Sequence, residues 1–536
     1  MTDFIDLNHY DGPDDIQCEV CIAGAGAAGI VLARQLANRG VSVVLLESGG
    51  TQLDADTQLL YEGTNTGLPY WDLMACRLRY LGGTTNHWGG ITNHLSELDM
   101  SRRPEVGLPG WPLSHAEIMP YVRQAAELLE VEFERYQPAA ALEREGNDPA
   151  LMVERQSPLL STISFATSER KRFAAEFGAD LAARENLRLF LNANVTHIQL
   201  DPGGGAVRHF EAASLAGKRI RVSARAHVLA CHAIENARLL LLSNDVQQQG
   251  IGNRSDQLGR NFMEHVYVET GQLLGTDALP AFYLGNVAQR KDPVPRNATG
   301  FVVALSDAAR QHNEMLSYYV NFNVVYADEA IYRSLSYLRS SLFEPFSPRI
   351  WQAMTGVMSD LVAAGRITQE ELGLRSRKIG YLQLHHRIEQ APNPSSRITL
   401  IDERDALGLP KVNLHWDITD LELHSFKRGQ DLVVQELSAL GIGRFAPEPM
   451  TEERVRSQLR GHYHHMGTTR MSGSATSGVV NGDCRVHEVA NLYVAGSSTF
   501  PTAGRSGPTL TIIALALRLA DHLATRVRAD VARGAT

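Results

Sequence analysis

The stretch CIAGAGAAGIVLARQLANRGVSVVLLESGG, residues 21–50, has the pattern of a complete dinucleotide-binding unit. Gly24, Gly26 and Gly29 give the G-x-G-x-x-G spacing between an apolar strand and an amphipathic helix, whose first free N–H groups would face a pyrophosphate. A second apolar strand ends at Glu47, where a carboxylate can bind an adenosine ribose and favours a nucleotide without a 2′-phosphate. The alternative is a glycine-rich turn in some other α/β protein, which would not require all these features in register.

Composition and charge agree with a globular chain of two or three domains. The chain has 536 residues, of which 44% are hydrophobic, and a net charge of −9, which argues against a nucleic-acid partner. No apolar run reaches transmembrane length and the acidic start does not resemble a signal peptide, so we expect no membrane span and a cytoplasmic protein. Five scattered cysteines do not suggest a disulfide framework. We interpret Cys18 and Cys21 as buried small side chains on the first strand, with redox or zinc chemistry as the alternative.

Three further segments carry the glycines, small residues and histidines expected around a bound cofactor. They are YLGGTTNHWGG at 80–90, GHYHHMGTTRM at 461–471 and NLYVAGSS at 491–498. Together with the N-terminal unit they resemble the glucose-methanol-choline (GMC) family of FAD oxidoreductases. The resemblance covers essentially the whole chain and is thinner in the middle. The histidine before tryptophan in the first of these segments is similar to that of pyranose oxidases and bacterial sugar or glycoside dehydrogenases.

The resemblance implies an α/β fold, with a discontinuous Rossmann-like FAD-binding domain and an α+β substrate-binding domain built on an antiparallel sheet. It divides the chain into FAD-binding segments at 1–100, 171–265 and 451–536, a helical excursion or cap at 101–170, and a substrate-binding domain at 266–450. The last segment would contain the catalytic histidine. Within the substrate-binding domain several aromatic and polar residues could line a pocket, although none is assigned: Tyr283, Tyr318, Tyr319, Gln383 and His385.

The resemblance also implies a set of cofactor-binding residues, located in the glycine-rich turns and at the strand ends that follow them. These are Gly24, Gly26, Ala27, Ala28, Gly29, Glu47, Ser48, Gly82, Gly83, Thr84, Asn86, His87, Trp88, Gly89, Val195, Ala230, Gly496, Ser497, Pro508 and Thr509. His87 is either a simple contact or the site of a covalent bond to FAD. The helix that begins at Pro508 would direct the positive end of its dipole at the flavin.

The histidine-rich segment supplies the catalytic candidates. The family motif H-x-x-G selects His464, with Gly467 as its glycine, and His465 is the neighbouring candidate. A base that titrates near neutral pH can take a hydroxyl proton while hydride leaves the same carbon for flavin N5. His462 and His465 also form an H-x-x-H pair, but no cysteine or carboxylate stands nearby in the sequence, so we expect no metal.

Two positions depart from the family pattern. Gly507 stands where family members have asparagine or histidine as a second group on the substrate hydroxyl. His465, Ser506, Arg505 or a water molecule are candidate replacements, and Arg505 would suit a carboxylate-bearing substrate. His232 stands where the family has glycine, so we expect either a wider turn or a side chain that points outwards.

We therefore expect an FAD-dependent oxidoreductase, an oxidase or dehydrogenase that acts on CH–OH groups. The predicted substrate is a small-molecule alcohol, a sugar or glycoside. The electron acceptor, whether oxygen, a quinone or a redox protein, and the oligomeric state stay open. The alternatives are a flavoenzyme with altered chemistry, such as a lyase or a tailoring step on a natural product, and a catalytically inactive flavoprotein.

Overall fold

The computed structural model describes residues 4–275, 278–284, 298–326, 354, 357–358, 379–448 and 450–534. Part of the predicted substrate-binding segment therefore lies outside the described residues. In chain order the strands are β1 Ile5–Asp6, β2 Asp15–Ala23, β3 Val43–Leu46, β4 Gly63–Gly67, β5 Ile91–Thr92, β6 Leu160–Thr167, β7 Leu187–Leu191, β8 Asn194–Leu200, β9 Val207–Ala213, β10 Arg219–Leu229, β11 His265–Leu274, β12 Thr299–Leu305, β13 Tyr318–Tyr326, β14 Ile379–Glu389, β15 Arg397–Arg404, β16 Pro410–Trp416, β17 Arg444–Ala446, β18 Arg460–Gly461 and β19 Leu492–Val494.

The helices are distributed along the described chain. They are α1 Ala27–Asn38, α2 Ala55–Leu59, α3 Glu97–Met100, α4 His115–Leu128, α5 Pro138–Arg144, α6 Phe173–Ala182, α7 His232–Leu242, α8 Asp307–His312, α9 Asp420–Ala439, α10 Glu452–Gln458 and α11 Thr509–Gly534. The helix α4 begins with a capping box, in which Ser114 and Glu117 bond each other's backbone N–H groups. No helix within the described ranges is both long and apolar enough to cross a bilayer.

The first sheet is the dinucleotide-binding sheet, with strand order β1-β7-β3-β2-β10-β9-β8 and β19 paired to β10. Strands β1, β7, β3, β2, β10 and β19 run parallel, so their carboxyl ends meet at one edge, where a doubly wound sheet binds its ligand. That edge brings together four segments that are distant in sequence, since β2, β3, β10 and β19 lead into Gly24, Glu47, Ala230 and Ala495.

The second sheet is antiparallel, with strand order β17-β11-β14-β13-β12-β6-β5 and β18 paired to β11. Alternate residues of β14 are buried, and His386 on that face packs against Phe426 of α9 with ring centres 5.2 Å apart. The other face of the same strands is turned towards the edge of the first sheet and carries Tyr319, Asn321 and Arg387. A small third sheet, β15-β16-β4, joins the two parts.

The predicted α/β fold with an antiparallel second sheet is confirmed, whereas the domain boundaries stay a proposal. Sheet membership refines that proposal in one place. Residues 160–167 form β6 of the second sheet, although they lie in the predicted cap segment 101–170. We propose that this strand belongs with the substrate-binding part, and that the cap consists of the helical portion before it.

Candidate active site

One cavity of about 710 Å³ extends from the ligand edge of the first sheet to the open face of the second. Most of the predicted site residues line it: Gly24, Gly26, Ala27, Ala28, Glu47, Ser48, Gly83, Thr84, His87, Trp88, Gly89, Val195, Ala230, His464, His465, Gly496, Ser497, Arg505, Pro508 and Thr509. The fold therefore brings residues from both ends of the chain into one site.

Three predicted cofactor-binding residues lie behind the cavity wall and shape its turns. A Cβ atom on Gly29 would come within 1.8 Å of the Gly24 carbonyl oxygen, so this glycine permits the close contact between helix and strand. Gly82 has a φ of +92°, which favours glycine. Asn86 donates from Nδ2 to the Leu81 carbonyl at 2.9 Å and so braces its own loop.

Both ends of the cavity present groups that can bind a dinucleotide. Gly26 is the N-cap of α1, and a Cβ atom on it would meet no atom within 4 Å, so the free N–H groups of this helix open onto space. The loop that carries Gly83 packs against the same turn. A Cβ atom placed on Gly83 would lie 3.3 Å from the Gly26 Cα atom. Pro508 and Thr509, at the N-terminus of α11, line the other end. Two positive helix ends thus face one cavity.

His464 is held by a chain of hydrogen bonds that fixes which of its nitrogens is free. His265 Nε2 lies 2.9 Å from the Gly504 carbonyl oxygen, and His265 Nδ1 lies 2.8 Å from His464 Nδ1. Since a carbonyl can only accept, His265 carries its proton on Nε2 and accepts through Nδ1. His464 must then donate from Nδ1. Its Nε2 is left as an unprotonated acceptor.

The surroundings keep His464 neutral. Burial lowers its pKa well below the usual value. Repulsion of positive charge lowers it further, from His265 when that residue is itself protonated and from the Arg387 guanidinium. A neutral imidazole with a free Nε2 is the protonation state that a general base requires.

Gly507 lies beside this free nitrogen. A Cβ atom on Gly507 would be 3.6 Å from His464 Cε1, 3.8 Å from His464 Nε2 and 3.8 Å from the Ile91 carbonyl oxygen. These are ordinary van der Waals distances, so the position adjoins the base and has room for a side chain. The absence of one there leaves open space next to the base.

Glu264 anchors the loop that carries His464. Its Oε2 atom accepts from the backbone N–H groups of His464 at 2.8 Å and His462 at 3.2 Å, and its Oε1 accepts from the Tyr70 hydroxyl. Burial raises the pKa of Glu264 to about 7, despite these hydrogen bonds, which lower it. Sequence reasoning did not select Glu264 or His265, although both lie in the stretch GRNFMEH at 259–265, which also resembles a segment of the GMC family.

His465 is engaged on the other side of this loop. Its Nδ1 lies 3.0 Å from His232 Nε2, and its backbone carbonyl accepts from Ser497 Oγ at 2.7 Å. His232 has a φ of +78°, which is uncommon for a residue other than glycine. The side chain of His232 therefore points inwards, so the outward orientation expected from the sequence as one alternative is wrong.

Arg505 is already paired. Its Nε lies 3.7 Å from Asp99 Oδ2, and Asp99 is buried and also binds Arg310 at 3.2 Å. Ser506 donates from Oγ to the His94 carbonyl at 2.6 Å. Neither residue occupies the place of the missing side chain at Gly507.

Comparison with known proteins agrees with this geometry. Residues 392–516 match the GMC oxidoreductase C-terminal family, described as GMC oxidoreductase, and residues 17–56 match an FAD binding domain. The 6'''-hydroxyparomomycin C oxidase of Streptomyces lividus is 25% identical over 97% of this chain and 95% of its own. The C-glycoside 3-oxidase of Microbacterium trichothecenolyticum is 33% identical over 26% of each chain.

The C-terminal part of the chain therefore carries a GMC oxidoreductase domain. A crystal structure of formate oxidase, at 16% identity and a TM-score of 0.58, covers 96% of this chain and 99% of its own, and shows the same fold. The predicted cofactor and enzyme class are confirmed: the protein is an FAD-dependent oxidoreductase that acts on CH–OH groups.

The end of the cavity that would hold the nucleotide is lined by several carboxylates and arginines. Glu47 accepts from the backbone N–H of Ala25 at 2.8 Å and of Gly49 at 3.1 Å, and from Ser48 Oγ at 3.2 Å. Because a carboxylate offers about four acceptor positions, one is left for a ribose hydroxyl. The role of Glu47 on the ribose stays a prediction.

A buried ion network beside Glu47 was not expected from the sequence. Glu235 binds Arg77 at 2.9 Å, Arg79 at 3.4 Å and Arg238 at 3.3 Å, and Arg238 also binds Asp405 at 2.7 Å. Burial alone would raise the pKa of Glu235, but the three arginines lower it to about 2. The network joins α7 to the segment that leads into the glycine-rich loop 80–90 and so fixes the wall at the nucleotide end.

His87 lines the cavity with an exposed side chain. Burial of part of its ring and the nearby Arg172 lower its pKa. A covalent bond between His87 and FAD stays a prediction. Across the ranges described above, no group of three or more histidine, cysteine or acidic side chains is placed to hold a metal ion.

Proposed function

We propose that this enzyme oxidises a hydroxyl group of a sugar or glycoside to a carbonyl, with His464 as the general base. The observation that carries the proposal is the neutral His464, whose Nδ1 is occupied by His265 and whose free Nε2 adjoins the open space at Gly507.

The residues of the chain manage the proton of this reaction. Bound FAD supplies the acceptor for the hydride that leaves the alcohol carbon. His464 Nε2 takes the hydroxyl proton, and the imidazolium that forms keeps its Nδ1–H bonded to His265. His265 does not need to change tautomer, because its own Nε2–H stays on the Gly504 carbonyl. The base is thus oriented before and after proton transfer.

The space at Gly507 supports a bulky substrate. Family members place a second polar side chain there, whereas here the atoms nearest to the position belong to His464 and Ile91. A sugar ring needs more room than a small alcohol, and its neighbouring hydroxyl groups can supply the hydrogen bonds that the missing side chain would make. The names of the relatives, a paromomycin derivative oxidase and a C-glycoside oxidase, support the same substrate class.

The two alternatives are less well supported. A lyase or tailoring activity has no specific observation in its favour, since the named relatives are oxidases. An inactive flavoprotein would not require the oriented His464–His265 pair.

Anaerobic titration of the purified, FAD-loaded protein with a panel of sugars, glycosides and simple alcohols tests the proposal. We expect one sugar or glycoside to bleach the flavin absorbance stoichiometrically and to yield one carbonyl product per flavin. Bleaching by simple alcohols alone, or by none of the panel, would contradict the proposed substrate class.

A further inference from the structure

We propose that Arg387 is a specificity-determining residue that binds a carboxylate on the substrate, so that the preferred sugar or glycoside is an acid. This inference rests on the proposed function, which it deepens.

Arg387 lies near the C-terminal end of β14, on the face that is turned to the cavity. Its neighbours across the sheet are Tyr267 on β11 and Tyr319 on β13. The guanidinium carbon lies 5.0 Å from the centre of the Tyr267 ring, and Arg387, Tyr319 and Asn321 line the cavity together with His464. The aromatic neighbours hold the guanidinium in place while its N–H groups face the substrate space.

No hydrogen bond or ion pair joins Arg387 to another residue in the described parts of the chain. The buried arginines elsewhere are different. Arg103 binds Glu389 at 2.7 Å, Arg310 binds Asp99 at 3.2 Å and Arg77 binds Glu235 at 2.9 Å. Arg387 is only half-buried and lines the cavity, so its guanidinium is available to a ligand that enters there.

The charges around Arg387 favour an anion. The acidic residues that line the cavity, Glu47, Glu235 and Asp405, belong to its nucleotide end. Glu269 is near enough to raise the pKa of Arg387, but it does not line the cavity and its carboxylate lies 3.3 Å from His385 Nδ1. Around His464 the lining consists of histidines, aromatic and small residues, with Arg505 already paired to Asp99. Arg387 is also close enough to lower the pKa of both His462 and His464.

A carboxylate suits this site better than a neutral hydroxyl. The planar guanidinium can donate two parallel N–H bonds to a carboxylate, whereas a hydroxyl would leave its charge unpaired. By the same electrostatics, a sugar that carries an ammonium group next to Arg387 would be repelled.

The test compares three sugars that differ only in the group on C5: methyl β-D-glucuronide has a carboxylate, methyl β-D-glucoside a hydroxymethyl group and methyl 6-amino-6-deoxy-β-D-glucoside an aminomethyl group. In the wild-type holoenzyme we expect kcat/KM for flavin reduction to be about ten- to a hundredfold higher for the glucuronide than for the glucoside, and lowest for the amino sugar. Arg387→Gln should remove this preference. The matched control is Arg208→Gln, which deletes an exposed arginine of β9 with the same change of charge and should leave the preference intact.

A binding measurement separates this inference from the proposed function. Tetrahydropyran-2-carboxylate has the ring and the carboxylate but no hydroxyl to oxidise. Calorimetry on the holoenzyme should show binding that Arg387→Gln weakens at least tenfold and Arg208→Gln does not. If none of the sugars reduces the flavin but this binding pattern is found, the proposed function fails and the anion site stands. Equal binding by wild type and Arg387→Gln, or an equal loss on glucuronide and glucoside, would overturn the inference.

Discussion

At the nucleotide end of the cavity the wall is mostly main chain and small residues, such as Gly24, Gly26 and Ala230, whereas at the substrate end it consists of side chains, such as Tyr319, Arg387 and His464. The first end binds through backbone N–H groups at the starts of two helices. The second acts through the protonation state and charge of individual groups. One substitution should therefore alter chemistry at the substrate end while leaving cofactor binding largely intact.

The largest effect is expected from His464→Ala. Loss of the base should slow anaerobic flavin reduction by about a hundredfold to ten-thousandfold, while FAD content and flavin absorbance stay close to those of wild type. Stopped-flow absorbance with the best substrate measures the rate. A similar reduction rate in both proteins would remove His464 from its role, and a colourless variant would break the contrast between the two ends.

His265 should have the next largest effect, because it acts through its hydrogen bond to His464. His265→Leu removes the partner that orients His464 and should lower the reduction rate on the order of a hundredfold. His265 also depresses the pKa of His464, so in this variant the acid limb of the rate profile should move to higher pH. His265→Gln, which keeps hydrogen-bonding groups, should restore part of the rate. An unchanged pH profile would mean that His265 only supports the fold.

Gly507→Asn separates an adapted site from an impaired one. The position has ordinary van der Waals clearance, so the variant should fold, and the new amide should raise the reduction rate on simple alcohols roughly tenfold. It should lower the rate on a large glycoside by filling the space beside His464. A rise on both kinds of substrate would show that the glycine is a defect.

The smallest effect on turnover is expected at His87, where the question is how FAD is attached. We predict a covalent bond, because the side chain lines the cavity and is exposed. After acid precipitation the yellow colour should stay with the protein, and His87→Ala should release it to the supernatant. Release of all FAD from wild type would make His87 only a contact.

The two ends also differ in how far the sequence could predict them. Gly24, Gly26 and Glu47 lie within one strand-helix-strand unit, so their spacing alone indicates the cofactor turn. His265 is 199 residues from His464 and gains its role only when β11 is placed beside the histidine loop. Arg387 belongs to no motif. It draws attention only in the folded structure, where no described residue forms a hydrogen bond or an ion pair with it. The orientation of the His232 side chain could not be predicted, because its inward hydrogen bond to His465 is a tertiary feature.

The pH dependence of anaerobic flavin reduction in the wild-type enzyme tests most directly whether a buried, neutral His464 is the base. Because burial, His265 and Arg387 depress its pKa well below the ordinary value, His464 should be unprotonated over the whole range from ~pH 6 to ~pH 8. We predict a reduction rate that is constant across this range and falls only at more acidic pH. A rate that increases steadily with pH through ~6.5 or above would show that the base titrates as an ordinary histidine or is another group, and would contradict the account.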